Sequence, residues 1–154
     1  MVGHYGDGVA TVDTDRTQGA AGLLGGAGPI QLADVTIHMR NEYGSITITS
    51  LDGEPIESSK SLLIQAMTED QPYGFRRQDG KIVALGSAPF GVRKIDAHVL
   101  LPTRYRSFEV VALDENGYAL DRSAFLESDR DGALVLQLPT DPLYTVLRAG
   151  VPAD

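Results

Sequence analysis

Between Glu42 and Thr68 the chain reads EYGSITITSLDGEPIESSKSLLIQAMT. Ile46 and Ile48 alternate there with Ser45, Thr47 and Thr49, the period-2 pattern of a strand with one buried face. Asp52-Gly53-Glu54-Pro55 then supplies turn residues. A second apolar run, Ser61 to Met67, follows. Leu62-Leu63-Ile64 leaves that run apolar on both faces, which predicts a central place in a sheet. Two strands joined by a polar turn cannot bury a face alone, so the rest of the chain must supply more sheet.

It does so in the same grammar. Short strands are predicted at 9–13, 18–23, after Ala33 to Met39, 43–50, 60–68, 81–85, 92–101, 106–113, 132–138 and 144–147. In the 92–101 run Ile95, Ala97, Val99 and Leu101 point inward and Lys94, Asp96 and His98 outward. Phe108 and Val110 share inward parity. The 17 Gly and 8 Pro fall mostly between these runs. Asn41-Glu42 reads as the turn of a hairpin joining the 30–39 and 43–50 segments. Asp114-Glu115-Asn116-Gly117 carries a second hairpin turn. Residues 69–80 read as a polar loop, 86–89 as a turn, and Ser123–Asp129 as one or two turns of helix. The expected fold is therefore all-β, an antiparallel two-sheet β-sandwich of Ig-like or jelly-roll-like kind. No linker divides it, so 1–154 is read as one domain with loose ends at 1–8 and 149–154.

Charge narrows function by exclusion. Thirteen Lys and Arg against 21 Asp and Glu give a net −8. That opposes nucleic acid, whose phosphates require cations, and anionic membrane surfaces. No apolar run approaches the length of a spanning helix. Met1-Val2-Gly3-His4 lacks the regions of a signal peptide. The chain has no Cys, hence neither a disulfide framework nor thiolate chemistry.

No stretch carries a reaction motif. The glycines of 14–28 are followed by Pro29-Ile30 where a phosphate loop needs Lys and Ser/Thr. Gly86-Ser87-Ala88 lacks a nucleophile elbow. His4, His38 and His98 have no ligand spacing, although His38 and His98 could be cross-strand neighbours on outward faces. The pairs Asp13/Asp15 and Asp129/Asp131 lack the further ligands of a full calcium loop. A metal is thus left unassigned, and these carboxylates read first as turn residues. The aromatics, six Tyr and four Phe without Trp, offer more. Tyr73 and Phe75 lie in the 69–80 segment beside Arg76, Arg77 and Gln78, and Tyr43 shares the outward parity of Thr47 and Thr49. Exposed rings stack on the C–H faces of sugars while polar neighbours bond the hydroxyls; the competing reading of each ring is a cap over the core. Tyr105 sits between two arginines and is open to the same two readings.

Several segments resemble, in order, the C-terminal β-sandwich domain that follows the catalytic barrel in bacterial agarase- and porphyranase-like glycoside hydrolases. They are Asp13–Gly19 (DTDRTQG), Ser50–Ile56 (SLDGEPI), Ser59–Ala66 (SKSLLIQA), Gly86–Phe90 (GSAPF), and Val111–Asp114 with Asn116-Gly117. The resemblance spans roughly residues 11 to 147. It implies a non-catalytic polysaccharide-binding or accessory module, with no catalytic residue of its own. It also implies an extracellular or periplasmic setting as part of a longer parent, a polysaccharide or oligosaccharide partner, and a catalytic barrel as neighbour. No cofactor follows from it beyond a structural calcium of the kind such modules often hold. Because the chain starts where a barrel would end, the resemblance makes it an excised domain or a free-standing relative. Two other readings stand beside this one: a purely structural or protein-interaction sandwich, and a small metal-dependent enzyme in a cupin-like barrel.

Overall fold

A computed structural model describes the backbone of residues 2–4 and 8–150, with side chains from residue 8 onward except that of Arg122. The strands are β1 (Val2–His4), β2 (Val9–Asp13), β3 (Thr17–Gly22), β4 (Ile30–Gln31), β5 (Thr36–Met39), β6 (Gly44–Ser50), β7 (Ser61–Thr68) and β8 (Asp70–Tyr73). They continue with β9 (Arg76–Gln78), β10 (Lys81–Ala84), β11 (Ser87–Val92), β12 (Ala97–Pro102), β13 (Ser107–Leu113), β14 (Ala119–Glu127), β15 (Ala133–Gln137) and β16 (Tyr144–Ala149). Among the described residues only a four-residue helix, α1 (Leu24–Ala27), and a single 3-10 turn at Ile56–Ser58 interrupt them.

The larger sheet has eight strands in the order β1-β2-β3-β6-β7-β16-β13-β14, and the smaller has four, β15-β12-β5-β4. Every pairing is antiparallel. The expected all-β sandwich is what the chain forms. Among the described residues both sheets keep free edges, so the strands do not close into a barrel.

The 42–68 stretch behaves as its pattern predicts. β6 and β7 pair from Gly44↔Thr68 to Ser50↔Leu62, and β16 flanks β7 on its other side. Ile46, Ile48, Leu62 and Ile64 are all essentially inaccessible to solvent. Across the interface they meet Ile37, Met39, Val99 and Leu101 of the smaller sheet, in a core that also holds Phe108 and Leu147. Burial of each large aliphatic side chain contributes roughly 1.5–3 kcal/mol. The inward parity of Ile95, Ala97, Val99, Leu101 and Phe108 is as expected. Tyr105 resolves as a core cap: its ring meets Phe108 edge-on at 6.1 Å, and its hydroxyl donates to the Ser58 carbonyl.

Four expectations are corrected. The 30–39 and 43–50 segments do not form a hairpin. β5 pairs with β4 and β12, whereas β6 pairs with β3 and β7. The Asn41 connection instead arches from one sheet to the other, because β5 and β6 both turn apolar residues into the same core. Asn41 pins that arch, donating to the Lys94 carbonyl and accepting from the Asp96 N–H. Second, Ser123–Asp129 is not helical; most of it belongs to β14, which pairs with β13 from Ser107↔Glu127 to Leu113↔Ala119. Third, residues 69–80 are not a loop, as described below. Fourth, Val2–His4, read as part of a loose end, pair with Val9–Thr11, and β16 runs on to Ala149.

One buried polar side chain ties the two sheets together. Gln18 of β3 is completely buried. Its Oε1 accepts from the Val35 N–H at 2.9 Å and the Asp34 N–H at 3.1 Å, and its Nε2 donates to Asp34 Oδ2 at 2.6 Å and, at 3.4 Å, to the Thr14 carbonyl. Those backbone donors lie in the segment between β4 and β5. One amide thus satisfies groups that the smaller sheet leaves unpaired.

Candidate binding arm

Residues 69–93 leave the sandwich as a double ribbon. Its root is a hairpin of β8 and β11, and its distal half a hairpin of β9 and β10. The distal turn is Asp79-Gly80, flanked by the Gln78↔Lys81 pair, and both turn residues have positive φ (50° and 75°). That is the sequence and conformation a two-residue type I′ hairpin asks for. It is the signal that reading this segment as a loop overlooks.

The ribbon bends where Phe75 N–H donates to the Pro72 carbonyl. Gly86 permits the bend. Its φ is +70°, and a Cβ there would lie 2.5 Å from the Tyr73 carbonyl oxygen and 2.7 Å from the Phe75 nitrogen. Glycine is required on both counts. At the base, Arg93 Nε pairs with Glu69 Oε2 at 3.2 Å, the Arg93 N–H donates to the Glu69 carbonyl, and Thr68 Oγ1 donates to the Arg93 carbonyl.

The root carries the aromatic residues singled out from sequence. A shallow groove of about 330 Å³ is lined by Tyr73, Phe75 and Phe90 with Gln71, Pro89 and Arg93. Tyr73 is 78% exposed, which removes its core-cap reading, and Phe90 is 67% exposed beside it; Phe75 is half-buried. A second hollow of about 340 Å³ holds Tyr43 with Asn41, Glu42, Glu69 and Asp96, and Arg93 forms a wall of both. Tyr43, 50% exposed, is therefore joined to the Tyr73 groove through the Glu69–Arg93 pair, although 30 residues separate the tyrosines in sequence. Arg76, Arg77 and Gln78 are not part of this grouping. They occupy β9, all exposed, beyond the bend and toward the tip. Phe90 joins the site without having been singled out: residues 86–89 read as a turn, while the structure puts Ser87–Val92 in a bulged strand with Phe90 opposite Pro72.

The other candidates separate cleanly. His38 and His98 are register partners on β5 and β12, with ring centroids 4.7 Å apart, and the buried Nδ1 of His38 has no hydrogen-bond partner. The His4 side chain lies outside the described residues. Asp129 Oδ1 accepts the N–H groups of Asp131 and Ala133, and Asp13 Oδ2 accepts the Ala33 N–H, so both carboxylates serve turns. Among the described residues no three His, Cys, Asp or Glu side chains gather into a metal-binding group. No helix among them is long and apolar enough to cross a membrane.

Among the described residues Asp52 has the carboxyl that its surroundings shift clearly from the ordinary value. Partial burial pushes its carboxyl up, but hydrogen bonds outweigh that. Ser59 Oγ, the Lys60 N–H, Ser50 Oγ and the Glu54 N–H all donate to it, and its pKa is lowered to about 2. Because Ser59 is fully buried, Asp52 is a turn anchor between β6 and β7.

No protein-family model, curated protein or solved structure matches the chain.

Proposed function

We propose that the chain is a non-catalytic polysaccharide-binding accessory module of a glycoside hydrolase, and that it takes its ligand on the root of the β-arm. The observation that carries this is the groove of three aromatic rings, Tyr73, Phe75 and Phe90, in which Tyr73 and Phe90 face solvent and Gln71 and Arg93 stand beside them. Flat apolar rings with polar neighbours suit a pyranose, whose faces carry C–H groups and whose rim carries hydroxyls. A sugar chain leaving this groove past Arg93 would meet Tyr43 and Asn41. The segments that resemble accessory domains behind catalytic barrels support the same reading, and with it an extracellular or periplasmic parent.

The test is affinity electrophoresis of the purified chain in gels containing agarose, porphyran, xylan, cellulose derivatives or mixed-linkage glucan, beside a gel without polysaccharide. Retardation in one polysaccharide, lost in Tyr73→Ala and in Phe90→Ala and weakened in Tyr43→Ala, is expected. Uniform mobility in all gels would overturn the proposal.

A further inference from the structure

The distal half of the arm has no core. Ile82 and Val83 are each 53% exposed and Leu85 74%, on a two-stranded ribbon that covers neither of its faces. Such ribbons are marginal in water on their own. The ribbon is also cationic against its background: residues 70–92 hold Arg76, Arg77 and Lys81 against Asp70 and Asp79, a net +1, in a chain whose total is −8. None of the three cations lies within ion-pair distance of a carboxylate among the described residues.

A complementary surface lies on the same molecule. The eight-stranded sheet overhangs the smaller one at β13 and β14, leaving a groove of about 660 Å³. Its lining is apolar, with Val110, Ala112, Leu120, Ala124, Pro139 and Pro142, and it carries carboxylates at Asp121 and Asp141. The groove sits beside the root of the arm, since Lys94 Nζ lies 3.7 Å from Asp141 Oδ1 and the Ile95 N–H donates to the Thr140 carbonyl. The tip lies about ten residues further out along β8 and β9, beyond the bend. The exposure of Ile82, Val83 and Leu85 shows that the arm does not fill the groove of its own chain. It can fill that of a second copy.

We propose that the chain forms a two-fold dimer in which the distal arm of each copy, through Ile82, Val83 and Leu85, lies in the β13–β14 groove of the other. A two-fold axis across the middle of two antiparallel arms sets each tip against the other copy's root, so both grooves are filled and the contact closes. Arg76, Arg77 and Lys81 then approach Asp121 and Asp141. The residues named for the dimer, on the distal arm and in the β13–β14 groove, line no part of the Tyr73 groove, so the two proposals are tested separately.

Sedimentation velocity over a concentration series tests it. The wild type is expected to sediment as a dimer. Ile82→Asp/Leu85→Asp is expected to weaken the dimer by at least about tenfold, as loss of central apolar contacts does, while the native circular dichroism spectrum is retained because these residues touch no core. A monomeric wild type, or a double variant that remains dimeric, overturns the proposal. Because the chain has no Cys, the geometry is read separately by mixing Val83→Cys and Leu120→Cys chains with a short bis-maleimide. Tip-to-groove hetero-crosslinks are expected; crosslinks only between two Val83→Cys chains, or within one chain of the doubly substituted variant, would refute the arrangement.

Discussion

Gln18→Ala is the most informative single substitution in the sandwich. It removes an amide that accepts two backbone N–H groups and donates to Asp34 and Thr14. The Val35 N–H sits in a residue with no solvent exposure, so water cannot replace the lost acceptor without opening the sheets. A buried donor left unpaired costs about 1–3 kcal/mol, and the Asp34 N–H and the small cavity add to it. The expected loss is roughly 3 kcal/mol, which corresponds to a fall in melting temperature of about 6–12 °C for a domain of this length. Thermal unfolding followed by circular dichroism measures it. Gln18→Glu sharpens the test. It exchanges the amide donor for an oxygen facing Asp34 Oδ2, so one of the two carboxyls must hold a proton at a raised pKa in the folded state. A group whose folded pKa is raised favours folding as the pH falls toward its unfolded value. Gln18→Glu is thus expected to recover stability relative to wild type between pH 7 and about pH 4.3. A melting temperature unchanged in Gln18→Ala, or a Gln18→Glu deficit that does not vary with pH, would show that the amide is not the bridge between the sheets.

Three further outcomes follow from other sites. Asp52, with a folded pKa of about 2 against an ordinary 3.8, contributes stability that is fully present above pH 4 and is lost as pH falls toward 2. Asp52→Ala is expected to cost roughly 1–2 kcal/mol at pH 7, discounted for the exposure of the carboxylate, and to flatten acid unfolding in that window. Phe108→Ala is expected to cost about 3–5 kcal/mol, as truncation of a fully buried aromatic does, read by urea denaturation. Gly86→Ala is expected to speed amide exchange across residues 70–92 while leaving protection in β6, β7 and β16 unchanged, because the clash at the Tyr73 carbonyl is confined to the arm.

The parts of the fold legible in sequence are those where one face is wet and the other dry. β6, β7, β12 and β13 alternate because their two faces meet different solvents, and their inward residues follow directly. β14 escaped the pattern because it is an edge strand. Leu120, Ala124 and Leu126 share its inward parity, but the first two are exposed beyond the smaller sheet, and Phe125 on the other face is 74% exposed. With neither face dry, Ser123–Asp129 offers no period to read. The arm was hidden for the same reason: both faces of β9 and β10 are wet, so only the Asp79-Gly80 turn marked them. Pairing partners were a different problem. The Asn41 arch and a hairpin turn use the same short polar residues, and which one forms is decided by contacts across the sandwich. The site was partly legible. Exposed aromatics near 73–75 could be proposed from composition, whereas Phe90 and the junction with Tyr43 exist only once β8 and β11 pair.

The Glu69–Arg93 clasp at the base of the arm has a consequence for how this surface can diversify. Because the Arg93 N–H already reaches the Glu69 carbonyl at 3.1 Å, the sandwich meets the arm as two chain ends closed upon each other, and everything between them is an insertion at a single point. Length, curvature and side chains of that insertion can change without altering one contact of the Ile46–Ile64–Leu147 core. Arm and core are thereby physically separable: a substitution in one leaves the contacts of the other in place.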